Sequence, residues 1–369
     1  MNPKKEANIV IQTAFLGDCI ITFPLIENIQ KRFPGQELIF FCREGLGNFI
    51  KDAFPYITPI EVKKYNSTDY RKKRKLINET YQLNNIFCVH KSFRSMIFAK
   101  LLKAKNKIHY TNNYRKLFVS GVGYNTKLPE PLRVLSLLSP LDSELKNKLQ
   151  IWEKNHTTPT SKSSLIPGEF KTNFEIDSSQ KFDIPEDYIV LAPGSVWETK
   201  KWPAKKFGQL ANLIKAELKK PVVILGSKQE LELSRQLKQV APSVIDLTGE
   251  TSLIECKNII ANSTGFVGND SGLVHMAALF NIPSTVVLGP THESLGFRPW
   301  QNNVEIATLN LECSPCGTHG ATACPIKTHA CMNNLEANLV MSFLHKALRK
   351  ASQKKPQKPQ ENTAVYKAL

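Results

Sequence analysis

Residues 265–290 read GFVGNDSGLVHMAALFNIPSTVVLGP. The segment opens with a short apolar run, "GFVG", that fits a buried strand. A polar turn follows, Asn269-Asp270-Ser271-Gly272, and then the apolar helical stretch "LVHMAALF". After Asn281-Ile282-Pro283 the chain returns to a strand, "STVVLGP". Strand, turn, helix and strand in about 25 residues make a βαβ unit, which builds a parallel sheet.

The same alternation extends outward in both directions. Towards the N-terminus come "YIVLAPG", the helix "WPAKKFGQLANLIKAEL" with Pro203 suited to its first turn, "PVVILGS", the helix "KQELELSRQLKQV" and "VIDLTG". An independent series opens the chain. "NIVIQT" reads as a strand, followed by a helix to about Phe33, "ELIFFC", "NNIFCVH" and the helix "SFRSMIFAKLLKA". Between them, from about Leu141 to Pro185, the sequence turns polar, as an interdomain connection does. The expected fold is α/β, with two Rossmann-like domains facing a central cleft. Their ligands are expected in the loops beyond the carboxyl ends of the strands.

Composition narrows the function classes. The chain has 369 residues, 41% hydrophobic, enough for two cores, and ends in a polar, basic stretch. No apolar run is long enough to span a bilayer. Gln12, Asp18 and Glu27 interrupt the apolar N-terminal segment, so it reads as part of the fold, and a cytoplasmic protein is expected. The formal charge is +17, and residues 63–116 hold fifteen Lys or Arg against Asp69 and Glu79 alone. Such a patch attracts anions. It lacks interleaved aromatics and any helix-turn-helix or zinc-finger spacing, so an anionic substrate or membrane surface is expected and nucleic acid is not.

Three loops carry candidate chemistry. In "QTAFLGDCIITFP" (12–24), Asp18 is the single carboxylate in an apolar stretch, at the start of the first helix. A carboxylate there caps the helix, or serves as a general base for a hydroxyl; position alone leaves both open. In "GNDSGLVHMAA" (268–278), Ser271 and Gly272 open a helix whose N–H groups suit a diphosphate. His275 lies one turn on, on the same face. The plainer alternative is an N-cap serine beside a surface histidine. In "APGSVWETKKWP" (192–203), Ser195 offers a hydroxyl and Lys200 or Lys201 a counter-charge. No P-loop and no G-x-G-x-x-G after the first strand occur, which argues against P-loop and dehydrogenase chemistry. No D-x-D occurs, so a metal-bridged diphosphate is not supported. Cys313, Cys316, Cys324 and Cys331 cluster in "CSPCGTHGATACPIKTHACM" with C-x₂-C spacing. They could hold a structural zinc, or be reduced thiols that stabilise the loop, or form a redox-sensitive pair.

Taken in order, "LGDCIITFP", "HKSFRSMIFAKLLKA", "APGSVWETKKWP" and "GNDSGLVHMAALFNIPSTVVLGPT" resemble the ADP-heptose:lipopolysaccharide heptosyltransferases, glycosyltransferase family 9. The cysteine cluster is similar to one in the heptosyltransferase II branch. The resemblance implies a GT-B architecture, with an acceptor domain over 1–170, a nucleotide-sugar domain over 171–345 and a basic polar tail over 346–369. It implies metal-independent, inverting transfer of heptose from ADP-heptose to the inner core of lipopolysaccharide at the inner membrane face, with no cofactor required for catalysis. Asp18 would be the general base. Ser195, Lys200, Asp270, Ser271, Gly272 and His275 would bind the donor, and Arg94 and Lys91 the acceptor. Two other readings stand beside it: a related transferase using another nucleotide sugar or acceptor, and a non-catalytic nucleotide- or polyanion-binding protein.

Overall fold

A computed structural model describes residues 3–111, 121–156, 170–177, 181–300, 303–353 and 364–366. It divides into two compact units, residues 1–175 with 362–369, and residues 176–361. Part of the polar connection (157–169 and 178–180), the basic pair Arg115 and Lys116, and most of the chain after 353 lie outside the described residues.

The first unit is built on β1 (Lys5–Gln12), β2 (Glu37–Arg43), β3 (Ile57–Val62), β4 (Tyr81–Cys88), β5 (Ala104–Thr111) and β6 (Gly121–Gly123). They form one parallel sheet in the order β3-β2-β1-β4-β5-β6. From Ala7 to Gln12, β1 is buried on both sides, as a near-continuous apolar strand should be when helices cover both faces. Asn8, a polar residue in its interior, is hydrogen-bonded on both its amide nitrogen and its oxygen. Asn85 donates to Asn8 (2.7 Å), Asn106 donates to Asn85 (2.9 Å) and Asn8 donates to Gln36 (2.9 Å), a polar ladder across three strands.

The single helix expected after Asp18 is two: α1 (Leu16–Ile21) and α2 (Phe23–Arg32). Pro24 cannot donate to a continuing helix but fits the first turn of a new one. Then come α3 (Gly47–Ala53), α4 (Ser67–Thr80) and α5 (Phe93–Leu101). Tyr70 and Ile77 of α4 share one core with Phe98 and Ala99 of α5 and with Ile9, Ile11, Ile39 and Phe41, so both helices cover the same sheet face. The unit ends with α6 (Glu130–Leu135), α7 (Ser143–Asn155) and β7 (Phe170–Thr172), which pairs antiparallel with β14 (Ala364–Tyr366).

The second unit repeats the plan with β8 (Ile189–Ala192), β9 (Val222–Ile224), β10 (Ile245–Asp246), β11 (Gly265–Asn269), β12 (Ser284–Val287) and β13 (Val304–Ala307), all parallel, in the order β10-β9-β8-β11-β12-β13. Its helices are α8 (Ala204–Leu213), α9 (Leu231–Val240), α10 (Leu253–Ala261), α11 (Gly272–Leu279), α12 (Ala330–Asn333) and α13 (Ala337–Gln353). Residues 346–353, expected in the tail, complete α13. Ala347 is fully buried and Lys346 and Lys350 pair with Glu305 on β13, so the hydrophobic period runs past the change in composition. Two sheets with the strand order of doubly wound nucleotide-binding folds bear out the α/β expectation. Each reverses order between its first and fourth strands, the place where ligands bind.

Candidate functional site

In the second unit that reversal falls between β8 and β11, and the candidate donor residues lie in the loops beyond them. Asn269, wholly buried at the end of β11, accepts from the Trp202 N–H (3.1 Å) and donates to the Pro193 carbonyl (2.7 Å), pinning the two loops together. On this frame Lys200 Nζ lies 2.5 Å from Asp270 Oδ2, with only 12% and 13% of the two side chains exposed. Thr291 Oγ1 donates to the same Asp270 oxygen at 3.1 Å.

Ser271 is the N-cap of α11 in extended geometry, yet its hydroxyl makes no capping hydrogen bond. The plainer alternative, a capping serine beside a surface histidine, is therefore not met. Gly272 opens the helix and His275 follows one turn on, buried. Burial, and then the nearby Lys200 charge, lower the His275 pKa to about 4 against the opposing pull of Asp270. The imidazole is neutral at physiological pH, so it offers hydrogen bonding rather than charge. A nearly buried ammonium, a neutral imidazole and the amides of a helix start suit a diphosphate.

Ser195 is buried in the loop after β8, next to Gly194. A Cβ at Gly194 would fall on the Glu230 carboxylate, so only glycine leaves that carboxylate where it sits. Glu230, which also accepts from the Ser227 N–H (2.6 Å), was not among the sequence candidates. Its one local sign is the capping-box spacing of Ser227 and Glu230.

Of the three readings of the cysteine-rich loop, reduced thiols in a stabilised loop fit best. Its four cysteines are free thiols, and among the described residues no three His, Cys, Asp or Glu side chains are placed to hold a metal. Cys331 packs in the core of the unit, and burial first, then the other three thiols, push its pKa up to about 11. Cys316 Sγ is turned to the Cys313 carbonyl at 3.1 Å. A zinc cage needs thiolates that converge on one point, an arrangement not formed among the described side chains. Instead the loop braces the Lys200 segment. The Ala321 N–H donates to Thr199 Oγ1 (2.8 Å), the Thr199 N–H donates to the Ala321 carbonyl (3.1 Å), and His329 Nε2 meets the Thr199 carbonyl (2.8 Å). His319 stacks on Trp197 with 5.1 Å between ring centres.

In the first unit Asp18 is the third residue of α1 and accepts from the Phe15 N–H through Oδ2 (3.2 Å). The capping reading is thus met in part, by a half-buried carboxylate in the first turn of the helix that follows β1. The ends of β1 to β4 also enclose a cavity of about 300 Å³ that includes Thr13, Arg43, Lys64, Tyr65, His90 and Arg94 in its lining. Arg94 lies over Tyr65 (4.7 Å to the ring centre), and Arg43 and Lys64 over Phe15 (5.4 and 5.0 Å). His90 Nδ1 meets Thr13 Oγ1 at 2.7 Å and Ser95 Oγ at 3.1 Å. Burial and then Lys64, Lys91 and Arg94 lower its pKa to about 4. The wall is cationic through Arg43, Lys64 and Arg94, a set fit for an anionic, hydroxyl-rich ligand. Only Arg94 was a sequence candidate. Lys91 turns elsewhere, over the Tyr124 ring (3.9 Å to the centre) and 3.8 Å from Glu130.

Both histidines make stability depend on pH. Each folded pKa, about 4, lies below the unfolded value of 6.5, so the unfolded chain binds more protons between those limits. Stability is full above pH 6.5 and is lost as pH falls towards 4. Between pH 6.5 and 5 each histidine should cost about 1–2 kcal/mol. Denaturant titrations at the two pH values check this: His90→Asn and His275→Asn should each flatten the dependence, and an unchanged slope in both would contradict the assignment.

Known proteins resemble this chain in sequence and in fold. A family model described as glycosyltransferase family 9 (heptosyltransferase) matches residues 70–326, which include every donor candidate but begin beyond Asp18. A lipooligosaccharide heptosyltransferase 2 of Campylobacter jejuni is 25% identical over 342 residues, covering 89% of this chain and 93% of its own. Among solved structures, the Escherichia coli ADP-heptose lipopolysaccharide heptosyltransferase II superposes with a TM-score of 0.73 at 18% identity, covering 94% of this chain and 99% of the other. E. coli heptosyltransferase WaaC with ADP-2-deoxy-2-fluoro heptose gives 0.64 at 17% identity over 92% and 99%. Their shared fold is the GT-B fold expected from the sequence. With 257 contiguous residues inside the family model, this chain belongs to glycosyltransferase family 9, the heptosyltransferases.

Proposed function

We propose that this chain transfers heptose from ADP-heptose to an inner-core acceptor of lipopolysaccharide, with inversion at the anomeric carbon and without a metal. The observation that carries the donor half is the Lys200–Asp270 pair beside His275 at the opening of α11. On transfer, the acceptor hydroxyl gives its proton to Asp18 and its oxygen bonds to the anomeric carbon. The bond from that carbon to the diphosphate oxygen breaks, and ADP leaves with the electron pair. Lys200, the α11 amides and the neutral imidazole of His275 take up the charge that develops on the diphosphate. Ser195, Ser271 and Gly272 complete the donor site. The relatives support the donor and acceptor classes: one is named for lipooligosaccharide, and a solved neighbour holds an ADP-heptose analogue.

Arg94, with Arg43 and Lys64, receives the acidic acceptor in the cationic cavity of the first unit. Lys91 stands beside it at the end of β4, with its charge shared with Glu130. Because such an acceptor is anchored by lipid, the protein works at the cytoplasmic face of the inner membrane. Calorimetric titration with ADP, UDP and GDP tests the donor assignment. ADP should bind at least tenfold more tightly than the others, about 1.4 kcal/mol. Equal affinity for all three would sink it.

A further inference from the structure

We infer that the outer faces of α4 and α5 form the surface by which this protein docks on an anionic lipid bilayer. The inference deepens the reading of a lipid-anchored acceptor and takes its purpose from it. Its evidence is separate.

Phe93, Ile97 and Leu101 are 63%, 37% and 50% exposed and stand at i, i+4 and i+8, so they form one stripe along α5. The opposite face of α5, with Met96, Phe98 and Ala99, is already spent on the sheet. A helix apolar on both faces loses free energy by leaving one of them in water, and a contiguous apolar strip of this kind marks a contact surface. Next to it, Leu76 on α4 is 49% exposed. The two helices pack side by side, with Tyr70 and Phe98 5.5 Å apart between ring centres, so their outer residues share one side of the unit.

Charge identifies the occupant. Arg71, Lys72 and Lys75 are exposed on α4, and Lys100, Lys103 and Lys105 are exposed at the far end of α5. The acids of this segment are both engaged: Asp69 accepts from the Lys63 N–H, and Glu79 lies 3.8 Å from Lys75. An apolar strip flanked by cations matches the acyl boundary and headgroups of an anionic leaflet. The stripe also starts at Phe93, between Ser92 and Arg94 of the cationic cavity, which puts a lipid-borne acceptor next to its binding site.

Vesicle flotation tests the surface without any donor or acceptor. The full chain should float with phosphatidylglycerol-containing vesicles and stay behind with phosphatidylcholine alone. Ile97→Gln/Leu101→Gln should weaken binding at least about tenfold. Lys72→Gln/Lys75→Gln, at exposed positions, should weaken it about fivefold per lysine and keeps the test decidable if the apolar variant misfolds. Both variants should transfer to a delipidated, water-soluble acceptor at the wild-type rate. Failure of the wild type to float, or flotation by both variants as strong as wild type, would overturn the proposal. So would a wild-type dimer that the Ile97/Leu101 variant turns into monomer, or preference for a short RNA over the vesicles. Vesicle binding without any sugar transfer would sink the transferase reading and leave this surface standing.

Discussion

Asp18→Asn is expected to lower kcat by about a thousandfold while leaving ADP-heptose affinity within twofold of wild type. The substitution separates the two roles of this side chain. An asparagine keeps an oxygen for the Phe15 N–H, which Asp18 now accepts at 3.2 Å, so the start of α1 stays capped. It cannot take a proton from a hydroxyl. If Asp18 is only a cap, Asp18→Asn should behave as wild type and Asp18→Ala should lose about 1 kcal/mol of stability with activity intact. If it is the base, both variants lose transfer and only Asp18→Ala also melts earlier. Single-turnover rates together with thermal melts give the answer.

Lys200→Met should weaken ADP binding by about 10- to 100-fold, the worth of a charge-assisted hydrogen bond in a buried site. It should also destabilise the second unit, because it leaves Asp270 as a nearly buried carboxylate held by Thr291 alone among the contacts described above. An uncompensated buried charge costs about 3–5 kcal/mol. Adding Asp270→Asn should restore most of that stability, since the amide needs no counter-charge, but not the ADP affinity, which needs the ammonium. Recovery of both in Lys200→Met/Asp270→Asn would mean that Lys200 serves only the fold.

Most of this fold is local, and so was open to reading. Strands such as "NIVIQT" and "STVVLGP" and the turn "NDSG" carry their period and breakers within a few residues. The donor candidates were proposed from local sequence alone, because they lie in the segments that follow β8 and β11. What escaped depends on the sheet order. Arg43, Lys64, Tyr65 and His90 lie at or just past the ends of three different strands, β2, β3 and β4, and meet only because β3, β2, β1 and β4 lie side by side. Glu230 is seen only where the loop of β9 folds over Gly194. The cysteine spacing left zinc, reduced thiols and a redox pair open, because the segment is held by Thr199, about 120 residues earlier, through its hydroxyl and backbone, a contact that leaves no mark in the spacing. Composition also misplaced the tail: a run rich in Lys and Gln hides the last two turns of α13, whose apolar face remains buried.

The most direct test of the account is the product made by the wild-type protein from ADP-heptose and a purified inner-core acceptor, analysed by mass spectrometry and by the anomeric signals of its NMR spectrum. The account predicts one added heptosyl residue with configuration opposite to the donor's, released ADP, and no such product from the Asp18→Asn protein. Transfer with retained configuration, transfer from UDP- or GDP-sugars in place of ADP-heptose, or undiminished transfer by Asp18→Asn would contradict it.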